Sequence, residues 1–333
     1  MTPIYNQLLI PFLTAMAVAI TMGGSGTAPA FSASYGANVI RKSIIPGLFG
    51  IMVFVGAFIA GKKTAGTMGS GILPSEFMDF TVVSIALFSI AVTMLISNIS
   101  GIPQSTSQAA VLALAAPALY FGRLDTHNLF VEIIPAWFIL PIISYFLSFF
   151  AGKYIYQPMR RRGLTIQRAQ NENKRHIWDI VLVIMALYVS FAIGSNNVAN
   201  AAGPLYTMTI NELHIRESDH IVILMLATLV VAPCFGIGAS LFGHKILKNT
   251  GKEIILFGKF EAVIIAFISG SLLLLASVVK GIPTSLVQVN VAAILGIGVA
   301  KMGHKNIFRK TQVKRFFTMW MIAPVISFLL SLL

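Results

Sequence analysis

Two short polar motifs, each opening an apolar stretch, contain the residue types best suited to hold an anion. Residues 103–108 read PQSTSQ and residues 283–288 read PTSLVQ. A proline costs a helix nothing at its first turn, so each motif predicts a helix start, where unpaired N–H groups and the positive end of the helix dipole favour negative charge. Two such starts facing each other would bind an anion without a formal cation. The alternative is that the hydroxyls only cap two buried helices. The candidate ligands are Ser105, Thr106, Ser107, Gln108, Thr284, Ser285 and Gln288.

A third polar segment, GSNNVANAAGP at residues 194–204, interrupts an apolar run. Its amides donate and accept hydrogen bonds at a lower desolvation cost than charges. Either they bind substrate, or they clamp neighbouring helices together. Residues 24–30, GSGTAPA, are the expected counterpart in the first part of the chain. The candidates here are Asn196, Asn197, Asn200, Gly26 and Thr27.

The composition predicts that these motifs lie in a membrane. Of 333 residues, 56% are apolar and 11% charged, and the mean hydropathy is +0.84. A soluble domain would not carry this balance. The net charge of +13 comes from basic loops between apolar segments, which is a topology signal, so no nucleic-acid partner is expected. The one cysteine, Cys234, excludes an intrachain disulfide.

Apolar stretches of about 17 to 25 residues predict the membrane spans. The first apolar stretch, residues 4–22, is interpreted as a membrane helix, because it lacks the basic start and the cleavage site of a signal peptide. Shorter stretches broken by Gly, Pro, Ser or Asn predict re-entrant or discontinuous helices, which are tolerated where protein buries them or where they line a cavity. The full spans are 4–22, 44–61, 80–97, 129–150, 178–194, 220–242, 255–279 and 316–333, and the broken segments are 24–40, 103–121, 195–210 and 283–300.

Three blocks recur in the same order and indicate an internal duplication. The tripeptide GIP occurs at 101–103 and again at 281–283. A GxK block beginning at Gly61 recurs at Gly243, and Trp137 recurs at Trp320. Domains are therefore predicted as a first repeat over 1–150, a basic linker over 151–177 and a second repeat over 178–333.

The basic loops predict the orientation of the repeats. Residues 151–177 and 301–315 are both rich in Lys and Arg, which places both inside the cell. The Trp137 helix then ends inside, whereas the Trp320 helix begins there. We therefore expect an all-α polytopic membrane protein of the cell membrane with an inverted-topology repeat, a design that binds substrate near the midplane.

The motifs resemble those of the inorganic phosphate transporter (PiT) family over nearly the whole chain. GSNNVANA at 194–201 is similar to that family's GANDVANA motif, and PQSTSQ to its Pro-x-Ser-Thr-Thr-His motif. The family's Asp corresponds to Asn197 and Thr27, and its His to Gln108 and Gln288. Loss of these acids is similar to the sulfate permease branch, so the resemblance implies oxyanion transport with sodium coupling in doubt.

Sulfate presents only acceptor oxygens, so a pocket of N–H, hydroxyl and amide donors suits it. The expected function is proton-coupled sulfate import. A phosphate permease coupled to protons or sodium is the alternative, and an anion channel is a further one. The sequence leaves the oligomeric state open, with a homodimer as one option.

Glu132, Asp179 and Glu261 lie closest to membrane segments and are the candidate proton carriers. Each could equally be an acid that stabilises a helix start. His127, His214 and His220 are predicted loop residues without metal spacing. We expect no metal, no cofactor and no enzymatic activity, because no Ser/His/acid set or paired carboxylates occur among the polar breaks.

Overall fold

The computed structural model describes residues 4–102, 104–162, 172–247 and 258–332, and side chains are described from residue 8, and again from 176 after the second gap, except at 312. These residues are almost entirely helical and include no β-strand. The helices of the first part are α1 (Ile4–Gly36), α2 (Ile45–Ala60), α3 (Lys62–Ser70), α4 (Phe80–Ser100), α5 (Thr106–Tyr120), α6 (Ile134–Phe150) and α7 (Gln157–Arg161). Those of the second part are α8 (Glu172–Asn197), α9 (Ala199–Leu213), α10 (His220–Leu241), α11 (Lys259–Leu275), α12 (Leu286–Met302), α13 (His304–Phe308) and α14 (Thr311–Leu332).

Seven helical segments of the described chain are long and apolar enough to cross a bilayer. The pair α2 and α3 would make an eighth span, bent by 77° at Gly61. Two shorter apolar helices, α5 and α12, correspond to the predicted re-entrant segments. The chain is thus a multi-pass α-helical membrane protein, as predicted.

One of the predicted breaks was wrong, and another is an interruption of a single residue within a long span. Residues 4–36 form one continuous helix, so the stretch 24–40 is not a separate re-entrant segment. Residues 195–210 also continue the preceding span, since only Val198 separates α8 from α9 and this residue keeps helical angles (φ −61°, ψ −34°). The small residues of these stretches allow close helix packing, and tertiary contacts therefore override their weak helix propensity.

At each GIP motif a long apolar helix ends and a shorter apolar helix follows that packs back against it. Gly101 ends α4 and Gly281 ends the π-helical turn Ala276–Lys280 that extends α11, both in the left-handed region (φ 69° and 66°). That conformation strongly favours glycine, and it lets the next amide bond back into the helix, Ile102 to Ser97 and Ile282 to Ala276. We call the described residues Gly101, Ile102, Gln104 and Ser105 tip one, and residues 281–285 tip two.

The two repeats are interlocked. The returning helix α5 packs against α14 of the second repeat, and α12 packs against α6 of the first. The hydroxyls of Ser144 and Ser327 make equivalent bonds across these contacts, to the carbonyls of Val289 (2.8 Å) and Ala109 (2.9 Å). The duplication therefore builds one body in which each re-entrant helix is held by the other half.

Glycines bring the long helices of opposite halves close together. A Cβ at Gly56 of α2 would lie 2.0 Å from the carbonyl oxygen of Phe191, and one at Gly238 of α10 would lie 1.8 Å from that of Ile20. These are backbone-to-backbone crossings of α2 with α8 and of α10 with α1, which a larger side chain would separate.

Candidate anion site

The two returning helices begin inside the protein with equivalent caps. The hydroxyl of Ser105 accepts a hydrogen bond from the Gln108 amide (3.3 Å), and that of Ser285 accepts one from the Gln288 amide (3.2 Å). Both serines are buried. The prediction of two capped helix starts is confirmed, and each start still presents amides that no helical carbonyl can satisfy.

Gln108 and Gln288 join the two starts directly. The Gln108 Nε2 atom donates to Gln288 Oε1 (3.2 Å), and Gln288 Nε2 donates to Gln108 Oε1 (2.9 Å). Both side chains are buried. Equivalent residues of the two repeats therefore pair reciprocally, so the starts of α5 and α12 face each other.

A second set of bonds ties the break between α8 and α9 to tip two. Asn196 uses its full amide: Nδ2 donates to Ser277 Oγ and to the Ile282 carbonyl (both 2.9 Å), and Oδ1 accepts from the Thr284 amide (3.1 Å). The Ser107 hydroxyl lies 3.3 Å from the same Oδ1. Both amide hydrogens of Asn196 are thus used within the protein, so it is a positioning residue with no donor left for an anion.

Ser107 connects this set to the first repeat. Its hydroxyl donates to the Thr284 carbonyl (2.9 Å) and accepts from Asn200 Nδ2 (3.2 Å). Ser107, Asn200, Thr284 and Asn196 are all buried. The structure therefore brings residues from α5, α8, α9 and tip two into one polar cluster.

Several polar atoms of this cluster, or of residues next to it in the sequence, are buried without a described hydrogen-bond partner. They are Thr284 Oγ1 and Asn200 Oδ1 of the cluster, and Gln104 Nε2 and Oε1 and Asn197 Oδ1 beside it; Thr64 Oγ1 and Ser148 Oγ are in the same state elsewhere in the described chain. An unsatisfied buried polar atom costs about 1–3 kcal/mol, so such a group calls for a ligand or a water molecule. Gln104 was not among the predicted ligands, although it occupies the position of Thr284 in the repeat. Its equivalence to Thr284 in the repeat is the sequence signal that could have identified Gln104 as a candidate ligand.

Some predicted ligands do not join the cluster. The Thr27 hydroxyl donates to the Gly23 carbonyl one turn back (2.7 Å), and Gly26 faces Phe49 and Ile193. Thr106 is buried in the first turn of α5 without a described side-chain hydrogen bond. On α1 the polar link is instead Ser25, whose hydroxyl donates to Asn98 Oδ1 (2.7 Å). The first-repeat counterpart of the amide break is therefore a helix–helix contact.

The three candidate proton carriers each pair with a lysine. Glu261 is 2% exposed and accepts from Lys301 Nζ (2.6 Å) and from the Gly258 amide (2.8 Å). Asp179 pairs with Lys259, and Glu132 with Lys280 (3.1 Å). No described contact joins these acids to the polar cluster, and the described residues contain no group of three His, Cys, Asp or Glu side chains suited to a metal.

Residues 22–331 match the model of the phosphate transporter family. The chain belongs to this family. Sulfate permease CysP of Bacillus subtilis (strain 168) is 30% identical over 326 residues, 98% of this chain and 86% of the relative. A protein of Pyrococcus abyssi (strain GE5 / Orsay) named "Putative phosphate permease" is 24% identical over 395 residues, 97% of this chain and 96% of the relative.

The fold of this phosphate-transporter-family chain also matches a solved structure. A protein described as "The sodium-dependent phosphate transporter" superposes with a TM-score of 0.84 at 20% sequence identity. The match covers 98% of this chain and 97% of the other. It confirms the expected fold, with its inverted repeat and re-entrant helices.

Proposed function

We propose that this transporter imports sulfate and that the polar cluster between the starts of α5 and α12 is its binding site. The observation that supports this proposal most directly is that two buried donors without a described partner, Gln104 Nε2 and Thr284 Oγ1, precede the starts of α5 and α12 at equivalent positions of the repeat, and that no carboxylate of the described residues joins the cluster. Sulfate is an acceptor-only dianion, so N–H and O–H donors stabilise it whereas a nearby Asp would repel it. The similarity to a sulfate permease supports the same assignment.

Each ligand has a distinct role in this proposal. The backbone amides at the starts of α5 and α12 supply donors and the positive ends of two helix dipoles. Gln104 and Thr284 complete the donor set from equivalent positions of the repeat. Asn197 and Asn200 adjust to the ligand, since rotating an amide exchanges its donor for its acceptor. Ser107 and Asn196 hold this arrangement together.

Uptake into proteoliposomes tests the substrate. Radiolabelled sulfate should enter with saturation, and unlabelled sulfate should compete better than unlabelled phosphate. Phosphate uptake that sulfate does not inhibit would instead establish the phosphate permease, which the family as a whole favours. Counterflow of labelled sulfate against an unlabelled internal pool should also occur; its absence would favour a channel.

We further propose that protons, not sodium, drive this uptake, because the family's acids at positions 27 and 197 are Thr and Asn. Of the three candidate carriers, Glu132 has the most exposed side chain (34%) and an exposed partner, whereas each carboxylate oxygen of the buried Glu261 accepts a hydrogen bond. Uptake driven by an inward pH gradient should exceed uptake driven by an inward sodium gradient. Stimulation by sodium alone would contradict proton coupling.

A further inference from the structure

Two lysines outside the polar cluster make the same contact in the two halves. Lys63 Nζ donates to the Val279 carbonyl (3.2 Å), and Lys245 Nζ donates to the Ile99 carbonyl. The lysines are 182 positions apart and their acceptors 180 apart, which are the offsets of the repeat. Each lysine therefore reaches from one repeat to the other, and the duplication has kept the contact in both copies.

Both acceptors lie two residues before the glycine of a GIP motif. Ile99 is in the last turn of α4, and Val279 is in the π-helical turn that precedes Gly281. The last carbonyls of a helix lack helical partners and form the negative end of its dipole. In a bilayer such groups must be satisfied by the protein. An ammonium group at this position caps the helix and fixes where the tip begins.

Tip two shows how this contact reaches the binding site. A Cβ at Gly281 would lie 2.8 Å from the backbone of Lys63, so α3 rests directly on the tip. On the opposite side Asn196 binds the Ile282 carbonyl and the Thr284 amide. The tip is therefore held between Lys63 and Asn196, and Thr284 sits at its far end.

We propose that Lys63 holds tip two closed and Lys245 holds tip one closed, one on each side of the membrane. We call these two lysine contacts the latches. The inverted repeat places the hairpins α4–α5 and α11–α12 in opposite directions, so their tips point toward opposite membrane faces. Tip one points toward the cytoplasm and tip two toward the outside. Release of Lys63 from Val279 then frees the outer tip, and release of Lys245 from Ile99 frees the inner one. This role rests on the proposed transport of an oxyanion through the cluster.

Side-specific labelling tests the latches without depending on the substrate. In a Cys234→Ala background, Ile282→Cys reports on tip two and Ile102→Cys on tip one. A membrane-impermeant maleimide is applied from the outside or, in inverted vesicles, from the cytoplasmic side. Lys63→Gln should speed outside labelling of Ile282→Cys about fivefold, as expected when a helix carboxyl end loses a cation, and should leave Ile102→Cys unchanged. Lys245→Gln should do the reverse from the cytoplasmic side.

Matched variants separate a latch from a general packing role. Lys62→Gln removes the same charge from the adjacent exposed position of α3, and Lys305→Gln removes an exposed lysine of α13; neither should change labelling. Lys63→Arg keeps the positive charge as well as a donor, so its labelling rate should stay slow. Equal labelling changes at both tips, or none at either with normal membrane insertion, would overturn the proposal. If labelling behaves as expected but sulfate uptake is absent, the proposed substrate fails and the latches stand.

Discussion

Both amide atoms of Gln104 are buried, and no described protein group hydrogen-bonds to them. Because a buried amide needs partners, an anion or a water molecule must complete its hydrogen bonds. Its position in the repeat is that of Thr284, whose hydroxyl is in the same state. The two residues thus offer hydrogen-bond donors from equivalent positions of the repeat. Substituting them distinguishes an effect on sulfate binding from an effect on the stability of the fold.

Replacing Gln104 with Leu should stabilise the empty protein and weaken sulfate binding. The change removes an unsatisfied amide worth about 1 kcal/mol or more, so the melting temperature without sulfate should rise. The KM for sulfate uptake should rise about tenfold, the effect of losing one or two hydrogen bonds to a charged ligand. Thermal shift with and without sulfate, together with uptake, measures both effects.

Thr284→Val provides the matched second variant, because it removes the equivalent hydroxyl with little change in volume. Unchanged uptake in both variants would show that these groups do not contact the anion.

Asn197→Asp should shift selectivity away from sulfate. A carboxylate here repels a dianion, but it can accept the proton that phosphate carries near neutral pH. We expect sulfate uptake to fall about tenfold or more while inhibition by phosphate becomes stronger. Asn306→Asp, at an exposed position of α13, serves as the control. A proportional loss for both anions would argue that Asn197 only packs between helices.

At the scale of elements, the re-entrant hairpins depend on two positive-φ glycines, Gly101 and Gly281. The sequence predicted these hairpins because the GIP motif recurs and is followed each time by hydroxyl residues. It did not reveal the continuity of α1 or of α8 with α9. Those stretches are rich in Gly, Ala and Ser, and whether such residues break a helix depends on neighbours that lie far away in the chain.

Gly281→Ala should abolish uptake, whereas Gly122→Ala should not. Both glycines have φ near +65°, so alanine costs each roughly 1–2 kcal/mol of backbone strain. Only at Gly281 would the new Cβ also meet backbone, 2.8 Å away at Lys63, while nothing lies within 4 Å at Gly122. Uptake and thermal stability are measured for both variants. Gly122→Ala shows the effect of backbone strain alone, and Gly281→Ala adds the displacement of tip two. Equal losses would show that the contact with α3 is unimportant.

At the scale of the whole molecule, each re-entrant helix has its main packing partner in the other repeat. The sequence predicted the duplication and its inversion, since both follow from recurring motifs and basic loops. The exchange of partners, α5 with α14 and α6 with α12, could not be predicted in the same way, because a repeat pattern does not say whether equivalent helices pack within a half or across. For the same reason, the sequence did not predict that the side chains of Gln108 and Gln288 pair with each other.

Residues 1–162 and 172–333, expressed as separate chains, should function only together. Each half alone leaves α5 or α12 without its main partner, so we expect it to be degraded or protease-sensitive. Coexpression should restore a complex that co-purifies and transports sulfate. A single half that resists proteolysis in the membrane would contradict the interlocked packing, and co-purification without uptake would place a further requirement in the intervening segment.

The reciprocal contact between Gln108 and Gln288 is self-complementary, since one residue type meets itself through identical atoms. A change at only one of these positions would leave the other buried amide without its matching donor and acceptor. The two glutamines are therefore constrained to change as a pair, whereas Asn197 and Thr27, between which no contact is described, already differ between the halves.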